Sequence, residues 1–235
     1  MLLQPRWIVR HLIVVVVVSL CCLAGFWQIH RLHERQAHNR QVRAQMAKDP
    51  VDLDRTPQAD PYRRIVATGR YDRRGQILLR SQVLQDTSGN DVLTPLMLPN
   101  GHAVLVDRGW VPLNVSRAPG PPEGIVRIEG LALPPEHKRP FSPDIPPSGR
   151  LSAVSYVNVG RIAKQVDAPL LRNYVLLSKQ RPAGKTPLYE APPELTDGPH
   201  RGYALQWFLF MAVGIVGYAA YIRRARLAAG PSVRP

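Results

Sequence analysis

Two uninterrupted apolar runs stand near the ends of the chain, and a mixed, punctuated pattern fills the space between them. Leu12 to Ile29 holds 18 uncharged residues, including five consecutive valines, Val14 to Val18; Tyr203 to Ile222 is a second uncharged run of 20. At ~1.5 Å per helical residue these runs reach roughly 27–30 Å, the thickness of a bilayer's hydrocarbon core. Both are expected to be transmembrane helices. His30 to Ala47 is polar, lacks Gly and Pro, and is expected to carry the first helix onward. An Asp/Pro linker follows over 49–61. Strand patterns then recur at Arg63–Tyr71, Gln76–Val83, Val92–Leu98, Ala103–Val111 and Gly124–Leu133, separated by Gly, Asn, Asp and Pro. Ten prolines from Pro112 to Pro147 predict long loops. Asn158 to Asp167 predicts a short helix capped by Asn158, Asn173–Leu177 a late strand, and 181–200 a Pro-rich return to the membrane. No heptad run is visible.

The expected fold is therefore an α+β membrane protein, with two transmembrane helices flanking a β-rich extracytoplasmic domain that contains a short helix. The expected divisions are a cytoplasmic N-terminus (1–11), a first span (12–29), a juxtamembrane helix (30–48), the β-rich domain (49–202), a second span (203–222) and a cytoplasmic tail (223–235). A cleaved signal peptide is disfavoured: no A-x-A site follows the first run, and Leu20 stands where a lipoprotein site before Cys21 needs a small residue. Arg223, Arg224 and Arg226 follow the second run while Arg201 alone immediately precedes it, so the C-terminus is expected in the cytoplasm. Two spans then return both ends to one side of the plasma membrane.

Charge sharpens this picture. The chain carries 31 Lys+Arg against 17 Asp+Glu, a net +14. Its two ends hold six arginines and no acid, beside the apolar runs, which suits anionic lipid head groups and counts against a nucleic-acid partner. Cys21 and Cys22 are the only cysteines and lie within the first run, so the central region offers no disulfide, thiolate metal site or Cys nucleophile.

Motifs for catalysis are missing. Gly184-Lys185-Thr186 looks like the end of a phosphate-binding loop, but Lys179 occupies the position of the required first glycine and Pro187 obstructs the helix. The acids are scattered singly, and no nucleophile–base arrangement is evident, so the chain is expected not to be an enzyme. His30 and His33 read as part of a solvated helical face, and His102 and His137 as exposed turn residues. His200 stands apart, because positions 200, 203 and 207 share a helical face and set an imidazole beside Tyr203 and Trp207. Counted from the ends of the runs, Gly25, Trp27, Gln28 and Arg31 fall at nearly the same depth as His200, Tyr203 and Trp207. Paired helices would let these residues rim one pocket suited to a flat, apolar ligand with anionic edges.

With these residues in view, the chain resembles the surfeit-locus (Surf-one) cytochrome c oxidase biogenesis proteins. Gly25-Phe26-Trp27-Gln28-Ile29-His30-Arg31 is similar to the family's G-x-W-Q-x-x-R, and Val104 to Pro112 (VLVDRGWVP) to its central signature. His200-Arg201-Gly202-Tyr203-Ala204-Leu205-Gln206-Trp207-Phe208 is similar to the H-x-x-Y-A-x-x-W-F that opens the last helix. The resemblance implies a membrane-anchored assembly factor that binds haem a and assists its insertion into the catalytic subunit of cytochrome c oxidase. Haem a synthase is a further implied partner. It carries His200 over as the haem-iron ligand, and Trp27, Arg31, Tyr203 and Trp207 as cofactor-binding motif residues. A scaffold that docks on the oxidase without touching haem is the alternative. Asp107-Arg108-Gly109-Trp110 is expected to close a strand, either as a contact surface for the oxidase or as a stacked Arg–Trp pair beside a turn glycine.

Overall fold

The computed structural model describes residues 4–115, 118–138, 140, 142–183, 187–189, 191–192 and 194–228; Gly184-Lys185-Thr186 lies outside them. Three α-helices are present among the described residues: α1 (Pro5–Ala47), α2 (Val159–Ile162) and α3 (His200–Ala228). The strands are β1 (Val51–Asp52), β2 (Arg64–Tyr71), β3 (Ile77–Leu84), β4 (Thr87–Met97), β5 (Ala103–Pro112), β6 (Val126–Leu133), β7 (Ala153–Val154) and β8 (Tyr174–Arg181). The chain divides into two compact units, Met1–Gln41 with Leu195–Pro235, and Val42–Glu194.

In the first unit α1 and α3 pair antiparallel. Trp7 meets Tyr221 at 5.6 Å between ring centroids, and His11 meets Tyr218 at the same separation. At the other end Phe26 meets Phe208 at 5.5 Å. Positions 7, 11, 14, 18, 21, 25, 28 and 32 of α1 are buried or half-buried, while most residues between them are exposed. Those positions alternate four and three apart, the spacing of a coiled-coil seam. The expectation of no heptad run is thus corrected. Hydropathy hides the seam because the outward positions are just as apolar: Leu12, Ile13, Val16 and Leu20 are all more than half exposed. The seam itself is built from Trp7, His11, Val14, Val18, Cys21, Gly25, Gln28 and Leu32. Both helices are long and apolar enough to cross a membrane. α1 runs unbroken through both segments expected at 12–29 and 30–48, and α3 starts at His200 and continues beyond 222.

The second unit is a small barrel with a covering layer. The strand order is β1-β2-β6-β8-β5-β4-β3-β7, and an added β2–β4 pairing (Arg70 to Met97, Tyr71 to Leu96) closes β2, β6, β8, β5 and β4 into a ring. Alternate residues fill the ring: Ile65 and Ala67, Leu96, Val104 and Val106, Val126 and Ile128, Val175 and Leu177. The opposite faces of β3, β4, β5 and β8 carry a second core, in which Leu79, Leu93, Leu105 and Leu176 pack with Val157, Val159 and Ile162 beneath α2. α2 is capped as expected: the Asn158 side chain accepts from the Arg161 N–H at 2.9 Å.

Several boundaries move. β3 and β4 meet at a two-residue turn, Gln85-Asp86, with φ of 48° and 62°. That left-handed pair is a hairpin geometry favoured by strand twist, so both strands extend into the stretch expected as loop. β1 lies inside the expected 49–61 linker, where Leu53 is buried in the barrel core. β8 reaches Arg181, past the expected end at Leu177, because its pairing with β6 continues to Arg127. Asp107–Trp110 does not close a strand. It forms a bulge inside β5, where Asp107 pairs with Leu93 and Trp110 with Asp91.

Candidate functional site

His200 opens α3, and the chain just before it is tied to α1. Asn39 donates to the Thr196 carbonyl at 3.0 Å, and Gln36 donates to the Asp197 carboxylate at 3.0 Å. Gly198 follows with φ +69°, a left-handed turn that suits glycine, and the Tyr203 N–H returns to the Pro199 carbonyl at 3.2 Å to begin the helix. The imidazole is then fixed from across the pair, with His200 Nδ1 2.8 Å from Gln28 Oε1. An amide oxygen only accepts, so this contact belongs to the tautomer with the proton on Nδ1, in which Nε2 keeps its lone pair. A carbonyl partner on the far nitrogen is the arrangement that orients a metal-ligating histidine. A Cβ on residue 198 would stand 3.5 Å from Nε2, an ordinary contact distance, so the Gly198 backbone lies beside that nitrogen.

The other expected site residues are distributed around this pair. Gly25 lets the helices close, since a Cβ there would come 2.7 Å from Phe208 Cε1. Trp207 is half-buried and packs edge-on to Phe210. Tyr203 and Trp27 face outward, 49% and 57% exposed. Arg31 is turned to its own helix and donates to Glu34 at 2.6 Å, while His30 also approaches Glu34, at 3.2 Å. His200 and Gln28 are therefore brought together, and Trp27, Arg31 and Tyr203 are not gathered around the imidazole. The expected common rim is corrected to a single held histidine with aromatic neighbours on open helical faces. The reason is angular: Trp27 and Tyr203 each sit one position off the seam, about 100° around the helix. Among the described residues there is no cluster of three or more His, Cys, Asp or Glu able to hold a bare metal ion.

Gln36, Asn39 and Asp197 were not expected among the site residues. For Gln36 and Asn39 the signal was spacing: 28, 32, 36 and 39 extend one seam into the polar part of α1.

The barrel holds a second polar constellation, around Arg108. The guanidinium is 1% exposed, and it donates to Gln76 Oε1 (3.2 Å), the Pro119 carbonyl (3.0 Å) and the Gly120 carbonyl (3.2 Å). It stacks on Tyr71 at 5.4 Å, not on Trp110. The Tyr71 hydroxyl in turn meets Gln180 Oε1 at 3.2 Å. Burial drives the Tyr71 hydroxyl pKa well above its ordinary value, with the nearby guanidinium pulling the other way, and burial lowers that of Arg108. Asp107, Arg108 and Trp110 are all at most 6% exposed, which removes this segment as a contact surface. Gly109 (φ +112°) lies against the Leu188 carbonyl, and Trp110 pairs with Leu188 through both backbone groups, at 2.9 and 3.0 Å. The motif locks the barrel end. His102, expected to be exposed, is half-buried with its Nδ1 shielded from solvent; it borders a cavity of about 540 Å³ at a Pro57–Pro61 and Pro134–Pro135 rim.

The fold class is an α+β chain with two helices long and apolar enough to cross a membrane, which flank a closed β-barrel domain in the sequence. The SURF1 family profile matches residues 15–212, and the chain belongs to this family. An uncharacterized SURF1-like protein of Mycobacterium tuberculosis is 30% identical over 245 residues, covering 97% of this chain and 90% of the relative. A SURF1-like protein of Monosiga brevicollis is 26% identical over 85% of this chain and 82% of its own length. One from Rickettsia conorii is 24% identical over 91% of each.

Proposed function

We propose that the protein is a two-pass plasma-membrane assembly factor that holds haem a and assists its insertion into the catalytic subunit of cytochrome c oxidase. Both termini lie in the cytoplasm and the barrel domain lies outside it. The protein carries its cargo and does not transform it, receiving it from the haem a synthase side and releasing it to the oxidase. The observation that supports this most is His200: an imidazole at the start of the last helix, held at Nδ1 2.8 Å from Gln28 Oε1, with Nε2 as its remaining nitrogen. One such nitrogen suits a single axial bond to haem iron. The exposed apolar surface of Phe26, Trp27, Leu205 and Phe210 suits a macrocycle and its hydrocarbon tail. Arg31 and Arg201 stand on the same helices as candidates for the propionates. A single ligand on an open surface fits a carrier that must give its cargo up.

The scaffold reading draws on a specific observation too, since Trp27 and Arg31 do not converge on His200. Co-purification separates the two. Expressed where haem a is made, the full chain is expected to carry haem in an amount that falls sharply in His200→Ala. Haem-free protein that still associates with the oxidase subunit would favour the scaffold.

A further inference from the structure

The helix pair carries a second feature, at the end opposite His200. An apolar furrow of about 300 Å³ runs between Val14 and Val18 of α1 and Ile215, Ala219 and Ile222 of α3. A hollow of about 490 Å³ continues it, bounded by Ala219, Ile222, Arg223 and Arg226. Ala219 and Ile222 line both, so the furrow and the arginine-lined hollow are neighbours on α3. From Ile215 to Arg226 the rise is ~16 Å at ~1.5 Å per residue, about half of a ~30 Å hydrocarbon core. The length is that of one leaflet.

The charge is one-sided. The carboxylates of residues 4–41 and 195–228 are Glu34 and Asp197, and both sit toward the opposite end of the pair. Arg10, near the furrow, is already engaged with the Tyr221 hydroxyl at 2.8 Å and the Trp7 ring at 5.1 Å. Arg223 and Arg226 are left as an i, i+3 pair on one helical face, a spacing that can present two forks to one phosphate.

We propose that this furrow binds one anionic phospholipid, with an acyl chain along Val14, Val18, Ile215 and Ala219 and the phosphate held by Arg223 and Arg226. The inference rests on the membrane-anchoring reading and is independent of haem.

The test is native mass spectrometry of the full chain in mild detergent, titrated with phosphatidylglycerol, with phosphatidylcholine of the same chains, and with inorganic phosphate. A single phosphatidylglycerol adduct is expected, bound at least tenfold more tightly than phosphatidylcholine. Arg223→Gln/Arg226→Gln should lose that preference. Ala219→Phe, which fills the furrow and leaves the charges, should weaken the same adduct. Millimolar inorganic phosphate should not displace the lipid. Equal binding of the two lipids, or unchanged binding in both variants, overturns the proposal. Displacement by phosphate would make this an anion site and overturns the lipid assignment. Alkaline carbonate extraction is run in parallel: a chain that leaves the membrane defeats both readings, whereas a retained chain without lipid preference defeats only this one.

Discussion

Gln28 is the partner that holds His200, its carboxamide oxygen 2.8 Å from Nδ1, a contact that favours the tautomer with the proton on Nδ1. Gln28→Leu strands that N–H between apolar helices, and outer partners of this kind are worth roughly 10–100-fold in affinity. Haem retention in Gln28→Leu should therefore drop by at least about tenfold on dilution, with Gln28→Glu retaining haem and shifting its absorption. Equal retention in Gln28→Leu would show that the contact is incidental. Arg108 acts on stability instead. Arg108→Met removes the bonds to Gln76 Oε1 and to the Pro119 and Gly120 carbonyls and should cost about 1–3 kcal/mol, measured by chemical denaturation of the full chain. Tyr71 and Tyr174 make the fold sensitive to alkali, since burial raises both hydroxyl pKa values above the ordinary 10.0. In the unfolded chain they ionise near 10 while in the folded chain they stay neutral. The contribution is constant below that pH and is lost as pH rises above it. Thermal melts should fall progressively as pH rises above about 10, and Tyr71→Phe should flatten that fall; an unaltered slope would mean that other groups cause it.

At the level of elements, two glycines carry much of the architecture. Gly109 sits at φ +112° with its Cα against the Leu188 carbonyl, so Gly109→Ala adds both backbone strain and a clash. A loss of about 2 kcal/mol or more is expected, read as a lowered denaturation midpoint. Gly25 sets how closely the helix pair packs. How much of this could be read from the chain depended on period. The long strands announced themselves by alternation, and α2 by its Asn158 cap. β1 and β7 have two residues each and no period to detect. The β3–β4 turn went unread because Gln85-Asp86 lacks the glycine that normally marks left-handed residues. The helical seam was illegible because apolar outward faces mask an apolar inward one. At the site, the motif spacing singled out His200 and Gln28, but a motif states which residues recur and not which way they point. Trp27 and Tyr203 therefore belong to the pattern without meeting the imidazole.

Along the chain a barrel domain lies between two apolar helices, and the proposed topology rests on charge: arginines without acids at both ends. Single cysteines placed at Gln4 or Arg224, in a chain freed of Cys21 and Cys22, should resist an impermeant thiol reagent in intact cells. A cysteine at the exposed Val83 should react; the reverse pattern would invert the assignment. The central claim is that this assembly holds haem a through His200. It is tested most directly by the visible absorption spectrum of the full chain purified from cells that make haem a, beside that of His200→Ala at matched folding. A haem a band near one equivalent in the parent and largely lost in the variant is the predicted result. The same band at the same stoichiometry in both, or in neither, would contradict it.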